Sequence, residues 1–276
     1  MVLKIPLGAT ISLGMKTMKI SMSLVILVGA FGCATTKVDH AKMKEISKVA
    51  LVGFTLDQEK PKEFSITFGS SANKTGLMTG ANIKVAEESD HASTIYQALN
   101  EHLGTEMGWQ MLSTKGIHKN ILYRNTLKDQ TEGWQNRPPV DPKYAVLRPR
   151  RVMEAWSIDR MGSDKKVELM NELGVDALAI AYLDVDLEKG GGLKQIVGAG
   201  DYFPKARIRF KLFSKENHGE PVWEEYAGQG DQVEKGTEHV LGFTNANELN
   251  NQTVLASKKS FTALTDRYEK SKSVKQ

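Results

Sequence analysis

The stretch DALAIAYLDVDLE, residues 176–188, decides the fold of this 276-residue chain. Side chains alternate between the two faces of a strand. The odd-numbered positions from 177 to 187 are all alanine, leucine or valine, whereas the even-numbered ones run from Leu178 to Asp184 and Asp186. The pattern predicts a long strand within a sheet, and the small alanines on its apolar face favour a helix packed closely against it.

Shorter stretches on either side predict the other elements of a mixed α/β domain. Runs typical of strands are KVALVGF (48–54), WQMLS (109–113), ARIRFKLF (206–213) and EPVWEEYAG (220–228). Apolar residues at helical spacing predict helices from Ser89–Asp90 to Gly108, over 117–129, from a cap at Ser163 to Gly174, and over 246–270. Residues 64–85 are interpreted as a loose hairpin or a long loop.

Three consecutive strands near the end of this order argue against a purely parallel sheet. We therefore predict a two-layer α/β sandwich, with a mixed sheet and helices on one face. Residues 48–272 are long enough to form it as a single domain.

The first 32 residues have the order of a secretory signal. Lys16 and Lys19 supply positive charge, the run from Ser23 to Phe31 is apolar or small, and a glycine and Cys33 follow. The apolar run is about 10 residues, whereas a helix that crosses a bilayer needs ~20. We therefore expect residues 1–32 to be a signal peptide that is cleaved off.

Cys33 is the only cysteine in the chain and predicts a lipid anchor. A single thiol outside the cytoplasm cannot form an internal disulfide, and acylation, with palmitate for example, removes its reactivity. The preceding residues resemble a lipobox, although Ala30 stands where leucine is most common; the alternative is an ordinary secretory signal with an incidental cysteine. Residues 33–47 are then the lipidated anchor and a polar tether. Enteric-type lipoproteins with an aspartate directly after the anchor tend to stay in the inner membrane, so a resemblance to them implies, with Ala34 at this position, the outer membrane, facing the periplasm.

The charge distribution does not favour a nucleic-acid partner. The whole chain has a formal charge of +4, but three lysines and no carboxylate lie in the first 32 residues. The part that begins at Cys33 therefore has a formal charge of +1, and nucleic-acid-binding domains are much more basic. The expected partners are the membrane, through the lipid anchor, and an envelope protein, with a homo-oligomer as a further option.

Motifs for cofactor chemistry fail on their spacing. FGSSANKTG (68–76) lacks the glycine that a phosphate loop needs before its lysine, and VGAGDYF (197–203) lacks the third glycine of a dinucleotide fingerprint. The six histidines have no metal-ligand spacing, and no G-x-S-x-G elbow occurs. We therefore expect no cofactor, no metal and no catalytic residues.

Asp184 and Asp186 share one face of the long strand. Arg207, Arg209 and Lys211 follow on the next strand and can face them across the hairpin. Cross-strand ion pairing is the favoured interpretation. The alternative is a hard-cation or active site completed by a third ligand from elsewhere.

The stretch LRPRR (147–151) is a basic cluster in a loop-rich region over 130–160. Arginine and aromatic residues together are typical of partner-binding surfaces. The cluster fits an acidic surface or lipid phosphate, and the alternative is a solvated loop without a partner. The predicted contact residues are Arg148, Arg150, Arg151, Trp134 and Trp156.

Several of these pieces, in this order, resemble one known group of envelope domains. They are KVALVGF, the helix through Tyr96 and Leu99, GWQMLS, ELGVDALAIAYLDV with its Gly174-Val175-Asp176 turn, and GEPVWEEYAG with Val222-Trp223. Over roughly residues 48–270 the chain resembles the periplasmic domain of curli-secretion-type and penicillin-binding-protein-activator-type lipoproteins, which is similar to the amino-terminal domain of the Tol-system propeller protein. The resemblance implies an α/β domain that docks to envelope partners or assembles into rings, without catalysis.

Together these observations predict a lipid-anchored periplasmic binding or scaffold protein that docks to a cell-envelope or secretion partner and is not an enzyme. One alternative is a subunit of a ring-shaped outer-membrane secretion or assembly complex. The chain lacks the long alternating hairpins from which barrel-forming members build a pore. The other alternative is a periplasmic hydrolase or metal-dependent enzyme that uses Asp184 and Asp186.

Overall fold

The structure is a computed structural model, and it describes residues 36–61, 86–129, 141, 143–190, 199–229, 236–240 and 243–273. The strands in these residues are β1 (Lys37–Val38), β2 (Lys48–Glu59), β3 (Glu87–Glu88), β4 (Gln110–Met111), β5 (Tyr144–Arg148), β6 (Ala177–Gly190), β7 (Ala199–Ser214), β8 (Pro221–Gln229), β9 (Thr237–Val240) and β10 (Phe243–Thr244). The helices are α1 (His40–Met43), α2 (Asp90–Met107), α3 (Thr114–Lys119), α4 (Ile121–Asp129), α5 (Ala155–Asp159), α6 (Ser163–Leu173) and α7 (Ala246–Ser273). The predicted signal peptide, Cys33, the segment 64–85 and Trp134 lie outside the described residues.

The strands form one mixed sheet with β6 near its centre. Along the sheet the order is β1, β8, β7, β6, β2, β5 and β3, with β4 also paired to β2, β9 to β7, and β10 to β9. β6 runs parallel to β2 and antiparallel to β7, and all 14 residues of β6 pair with β7. The predicted α/β class and mixed sheet are confirmed.

Helices cover both faces of this sheet, whereas the sequence predicts them on one face. The odd-numbered side of β6, from Ala177 to Val185, is buried in a core with Leu99 of α2 and Phe261 of α7. The other side, with Leu178 and Ile180, is buried in a second core with residues of α3 to α6. The alternation along β6 is as predicted, but its second face begins apolar and therefore also requires a cover of helices.

The ends of two helices follow the sequence closely. Gly108 ends α2 with a φ of 68° and Gly174 ends α6 with a φ of 62°, a left-handed conformation that glycine adopts without strain. The predicted cap at Ser163 is one residue off, because Gly162 is the cap position and Ser163 is the first residue of α6. The Ser163 hydroxyl instead donates to Glu220. Among the described residues, no helix is both long and apolar enough to cross a membrane.

The segment 36–47, predicted as part of a polar tether, is folded against the domain. β1 pairs antiparallel with β8, and Met43 and Ile46 are buried in the core beneath α7. The Thr36 hydroxyl donates to the carboxylate of Glu225 on β8. The segment looks like a tether in the sequence because only three of its side chains, Val38, Met43 and Ile46, supply the apolar contact, without a regular spacing.

An irregularity in β2 connects the two faces of the sheet. The register with β6 shifts after Leu51, so Val52 has no opposite residue on β6. The hydroxyl of Tyr123 in α4 donates to the Val52 carbonyl at 2.8 Å and accepts from the Met153 N–H at 2.9 Å. On the other face, the hydroxyl of Tyr96 in α2 donates to the Leu51 carbonyl at 2.7 Å. α4 and the chain after β5 are therefore both attached to β2 by Tyr123.

Candidate binding site

Of the three arginines in residues 148–151, which form the end of β5 and the loop after it, two are paired with carboxylates within the domain. Arg148 Nη1 lies 2.9 Å from a Glu88 oxygen, and the side chain also donates to two main-chain carbonyls. Only 13% of the Arg148 side chain is exposed. Arg150 Nε lies 2.9 Å from Asp90, at the start of α2. Arg148 therefore holds the loop in place and its role as a partner contact stays a prediction, and the charge of Arg150 is balanced at the surface.

Arg151 differs from its two neighbours in backbone and surroundings. Its φ is 60°, the left-handed region that residues other than glycine rarely occupy. Such a conformation costs about 1–3 kcal/mol and persists only where the surroundings enforce it. The Arg151 N–H donates to Glu88 at 3.2 Å, which is the contact that holds the strained residue.

The Arg151 side chain lines a surface cavity of about 560 Å³, which we name the cationic cavity. Its walls are formed by α3, α4 and the loop after β5. The lining residues are Thr114, Lys115, His118, Lys119, Arg124 and Arg151. Four of these six side chains are lysine or arginine and none is acidic. Within the described part of the chain, no carboxylate forms an ion pair with any of these four.

The imidazole of His118 reports the positive potential of the cavity. Burial lowers its pKa, and the nearby guanidinium groups of Arg151 and Arg124 lower it further. Its Nδ1 is shielded from solvent and has no hydrogen-bond partner in the described residues. The ring is therefore neutral at pH 7 and offers the cavity a donor or an acceptor, depending on its tautomer.

Local packing explains why the cations converge at this point. Ser113 caps α3 by accepting from the Gly116 N–H, and Ile117 is buried in the second core. Asn120 accepts from the Tyr123 N–H at 2.9 Å and starts α4. Because Arg124 follows the buried Tyr123 and Arg151 precedes the bonded Met153, one tyrosine positions two walls of the cavity.

Trp156 does not complete this site, and Trp134 lies outside the described residues. Trp156 lies on α5, where the guanidinium of Arg160 sits 4.9 Å from its ring. Its indole Nε1 is shielded and has no hydrogen-bond partner among the described residues. Trp156 is not among the residues lining the cavity, so the structure divides the predicted contact residues instead of bringing them together.

Asp184 and Asp186 are engaged in contacts within the domain. Arg209 Nη2 lies 3.1 Å from Asp184, and the same guanidinium stacks over the Tyr182 ring at 4.8 Å. Asp186 accepts from the hydroxyl of Tyr144. The Asp184–Arg209 contact agrees with the predicted cross-strand ion pairing, whereas the contact of Asp186 is with a hydroxyl on β5. Within the described ranges, no group of three or more His, Cys, Asp or Glu side chains could hold a metal ion.

Comparison of the chain with models of known protein families and with curated proteins finds no match. The resemblance to envelope lipoprotein domains therefore stays a prediction. Function has to be argued from the site itself.

Most of the cavity is not visible as a motif in the sequence. Lys115, His118, Lys119 and Arg124 lie in a segment that shows only a weak helical pattern. The available signal is the spacing of Lys115 and Lys119, which puts two lysines on one side of a helix. Their approach to Arg151, 27 residues or more further along, depends on the packing of α4 against β2.

Proposed function

We propose that this protein is a lipid-anchored, non-catalytic docking protein of the cell envelope that binds an acidic partner at the cationic cavity. The observation that carries the proposal is the group of Lys115, Lys119, Arg124 and Arg151 around one cavity without an ion-pairing carboxylate in the described residues. The neighbouring Arg148 and Arg150 are paired, so the contrast arises within a single loop.

The distance between the predicted anchor and the folded chain supports a position close to the membrane. Thr36, three residues after Cys33, is held by the domain, because its hydroxyl donates to Glu225. Three residues span about 10 Å when fully extended. An acyl chain on Cys33 then keeps the edge of the domain near β1 beside the lipid headgroups.

The cationic cavity lies on the side of the domain away from β1. β1 and β5 are five positions apart in the sheet order, which corresponds to about 24 Å at ~4.8 Å between strands. The loop that carries Arg151 follows β5, so the cavity is remote from the edge where the anchor joins the domain. A partner in the periplasm can then reach it without competing with the anchor.

The experiment is native mass spectrometry of the protein extracted from its own membranes in mild detergent. Wild type is compared with a variant in which the cavity cations are reversed: Lys115→Glu, Lys119→Glu, Arg124→Glu and Arg151→Glu. A matched control carries the same charge change on exposed lysines elsewhere: Lys44→Glu, Lys165→Glu, Lys258→Glu and Lys270→Glu. We expect a lipidated mass that starts at Cys33 and a bound partner that the cavity variant loses and the control keeps.

Three outcomes contradict the proposal. Retention of the partner by the cavity variant removes the cavity from the interface. An unlipidated mass that starts elsewhere removes the anchor. A closed homo-oligomer without a foreign partner favours the ring-shaped complex instead.

A further inference from the structure

The cationic cavity concentrates more positive charge than one carboxylate can balance. Four cationic side chains from α3, α4 and the loop after β5 surround one space. Like charges held this close repel one another, and a ligand with several negative charges in a small volume relieves that repulsion. A phosphate monoester carries about −1.5 to −2 at neutral pH, roughly twice the charge of a carboxylate.

The volume of the cavity fits a small ligand or a protruding group. At about 560 Å³ it lies within the range of about 300–1,000 Å³ that is usual for small-molecule sites. Protein interfaces of standard size instead bury about 800 Å² on each partner. A compact anion, free or attached to a larger molecule, therefore matches the space better than a flat acidic surface does.

The types of donor match phosphate oxygens. Arg124 and Arg151 present planar guanidinium groups, which can bind two phosphate oxygens at once. Lys115 and Lys119 add point charges, and the Thr114 hydroxyl and the His118 ring can complete the hydrogen bonds to the remaining oxygens.

The strained backbone of Arg151 is a separate observation that supports a ligand. The residue adopts its left-handed conformation in a loop whose other two arginines are paired with carboxylates. Strain of this kind is concentrated at binding and catalytic sites, where it positions a side chain for a ligand. The strained residue of the loop is thus also the arginine that lines the cavity.

We infer that the cationic cavity binds a phosphate-type polyanion of about diphosphate size, carried by a free phosphorylated compound or by a lipid headgroup. The inference rests on the proposed function for the location of the site and adds the chemical class of its ligand.

Isothermal titration calorimetry of the full-length lipoprotein in nonionic detergent tests this inference, with inorganic pyrophosphate as the probe. At low ionic strength we expect one saturable site per chain, weakened as salt screens the charges. Arg151→Gln should lower the affinity about tenfold or more, because it removes charge-assisted hydrogen bonds. Arg150→Gln is the matched control in the same loop, and it should leave the affinity within about twofold, since Asp90 already balances Arg150.

Proton uptake gives a second readout that is specific to the cavity. Bound anion opposes the effect of Arg124 and Arg151 on His118, so its pKa should rise when the site fills. Titrations at about pH 6 in buffers with different ionisation enthalpies should show more proton uptake in wild type than in His118→Gln, since the proton release from pyrophosphate itself is common to both.

Two further ligands separate the possible sources and the possible failures. Dihexanoylphosphatidic acid, whose headgroup is a phosphate monoester, indicates a lipid headgroup if it displaces pyrophosphate. Displacement only by soluble phosphorylated compounds indicates a free ligand. Citrate binding as tightly as pyrophosphate, or equal affinities of Arg151→Gln and Arg150→Gln, overturns the inference. In that case retention of a partner on membranes still supports the proposed function, and pyrophosphate binding without any partner contradicts the proposed function alone.

Discussion

Replacing Tyr123 by phenylalanine removes a single oxygen atom and two buried hydrogen bonds. The hydroxyl joins the Val52 carbonyl of β2 to the Met153 N–H of the chain after β5. Tyr123, Val52 and Met153 are all fully buried. Burial raises the pKa of Tyr123 well above its usual value, so the hydroxyl stays protonated and donates at any pH at which the protein is folded.

The expected loss follows from the two backbone groups that remain. Val52 lies at the register shift in β2, so β6 offers it no opposite residue. An unsatisfied buried polar group costs about 1–3 kcal/mol, offset in part because the phenyl ring no longer buries a hydroxyl. We therefore expect Tyr123→Phe to lower the free energy of unfolding by about 2–4 kcal/mol, a large fraction of a total of about 5–15 kcal/mol. For a domain of this size the melting temperature should fall by about 5–15 °C.

Guanidinium chloride unfolding monitored by tryptophan fluorescence measures this loss. The midpoint should shift while the slope of free energy against denaturant stays constant. Tyr96→Phe frees one main-chain group, the Leu51 carbonyl, and should cost about 1–2 kcal/mol. Tyr144→Phe, at a partly exposed hydroxyl bonded to Asp186, should cost less than about 1 kcal/mol. A loss for Tyr123→Phe no larger than that for Tyr144→Phe would refute the assignment of Tyr123 as the link between β2 and the walls of the cavity.

Three further changes have outcomes that the structure predicts. Arg151→Gly should raise the free energy of unfolding by about 0.5–1 kcal/mol through relief of strain, and it should weaken pyrophosphate binding about tenfold or more, as Arg151→Gln does. His218→Gly, at a turn residue whose φ is 53°, should also stabilise the fold but leave binding unchanged. A loss of stability in Arg151→Gly would contradict the strain. Burial lowers the pKa of His91 from 6.5 to about 4. Between these two pH values the unfolded chain is protonated at His91, whereas the folded chain is not. Stability should therefore fall by about 1–3 kcal/mol between roughly pH 6.5 and 4, and this part of the fall should be absent in His91→Gln when both are unfolded in denaturant at each pH. Gly53→Ala should lower the free energy of unfolding by about 1–3 kcal/mol, because the new Cβ would lie 2.9 Å from the Ala155 Cα. An unchanged free energy of unfolding would mean that α5 can move aside.

Local patterns in the sequence were sufficient for the main elements of the fold. The alternation along 176–188 predicts β6 and the composition of both its faces, and Gly108 and Gly174 predict the ends of α2 and α6. These features are legible because the period of a strand or helix and the conformational freedom of glycine are properties of short stretches of chain. The number of helical layers is not such a property. The presence of two apolar residues on the second face of β6 does not determine whether helices cover that face. The apolar contacts of 36–47 depend on a partner strand, β8, that lies far along the chain.

The candidate site likewise has features that the sequence shows and features that only the tertiary structure determines. Composition alone draws attention to Arg148, Arg150 and Arg151, since a run of arginines is visible in any sequence. Which of the three is left for a ligand depends on Glu88 and Asp90, some 60 residues earlier, and on the backbone conformation at Arg151. The convergence of Arg124 with Arg151 likewise depends on a hydroxyl that bonds two distant backbone groups. The sequence determines which residues are charged. Whether a charge is neutralised depends on distances of a few ångström between segments, and only the tertiary structure sets those distances.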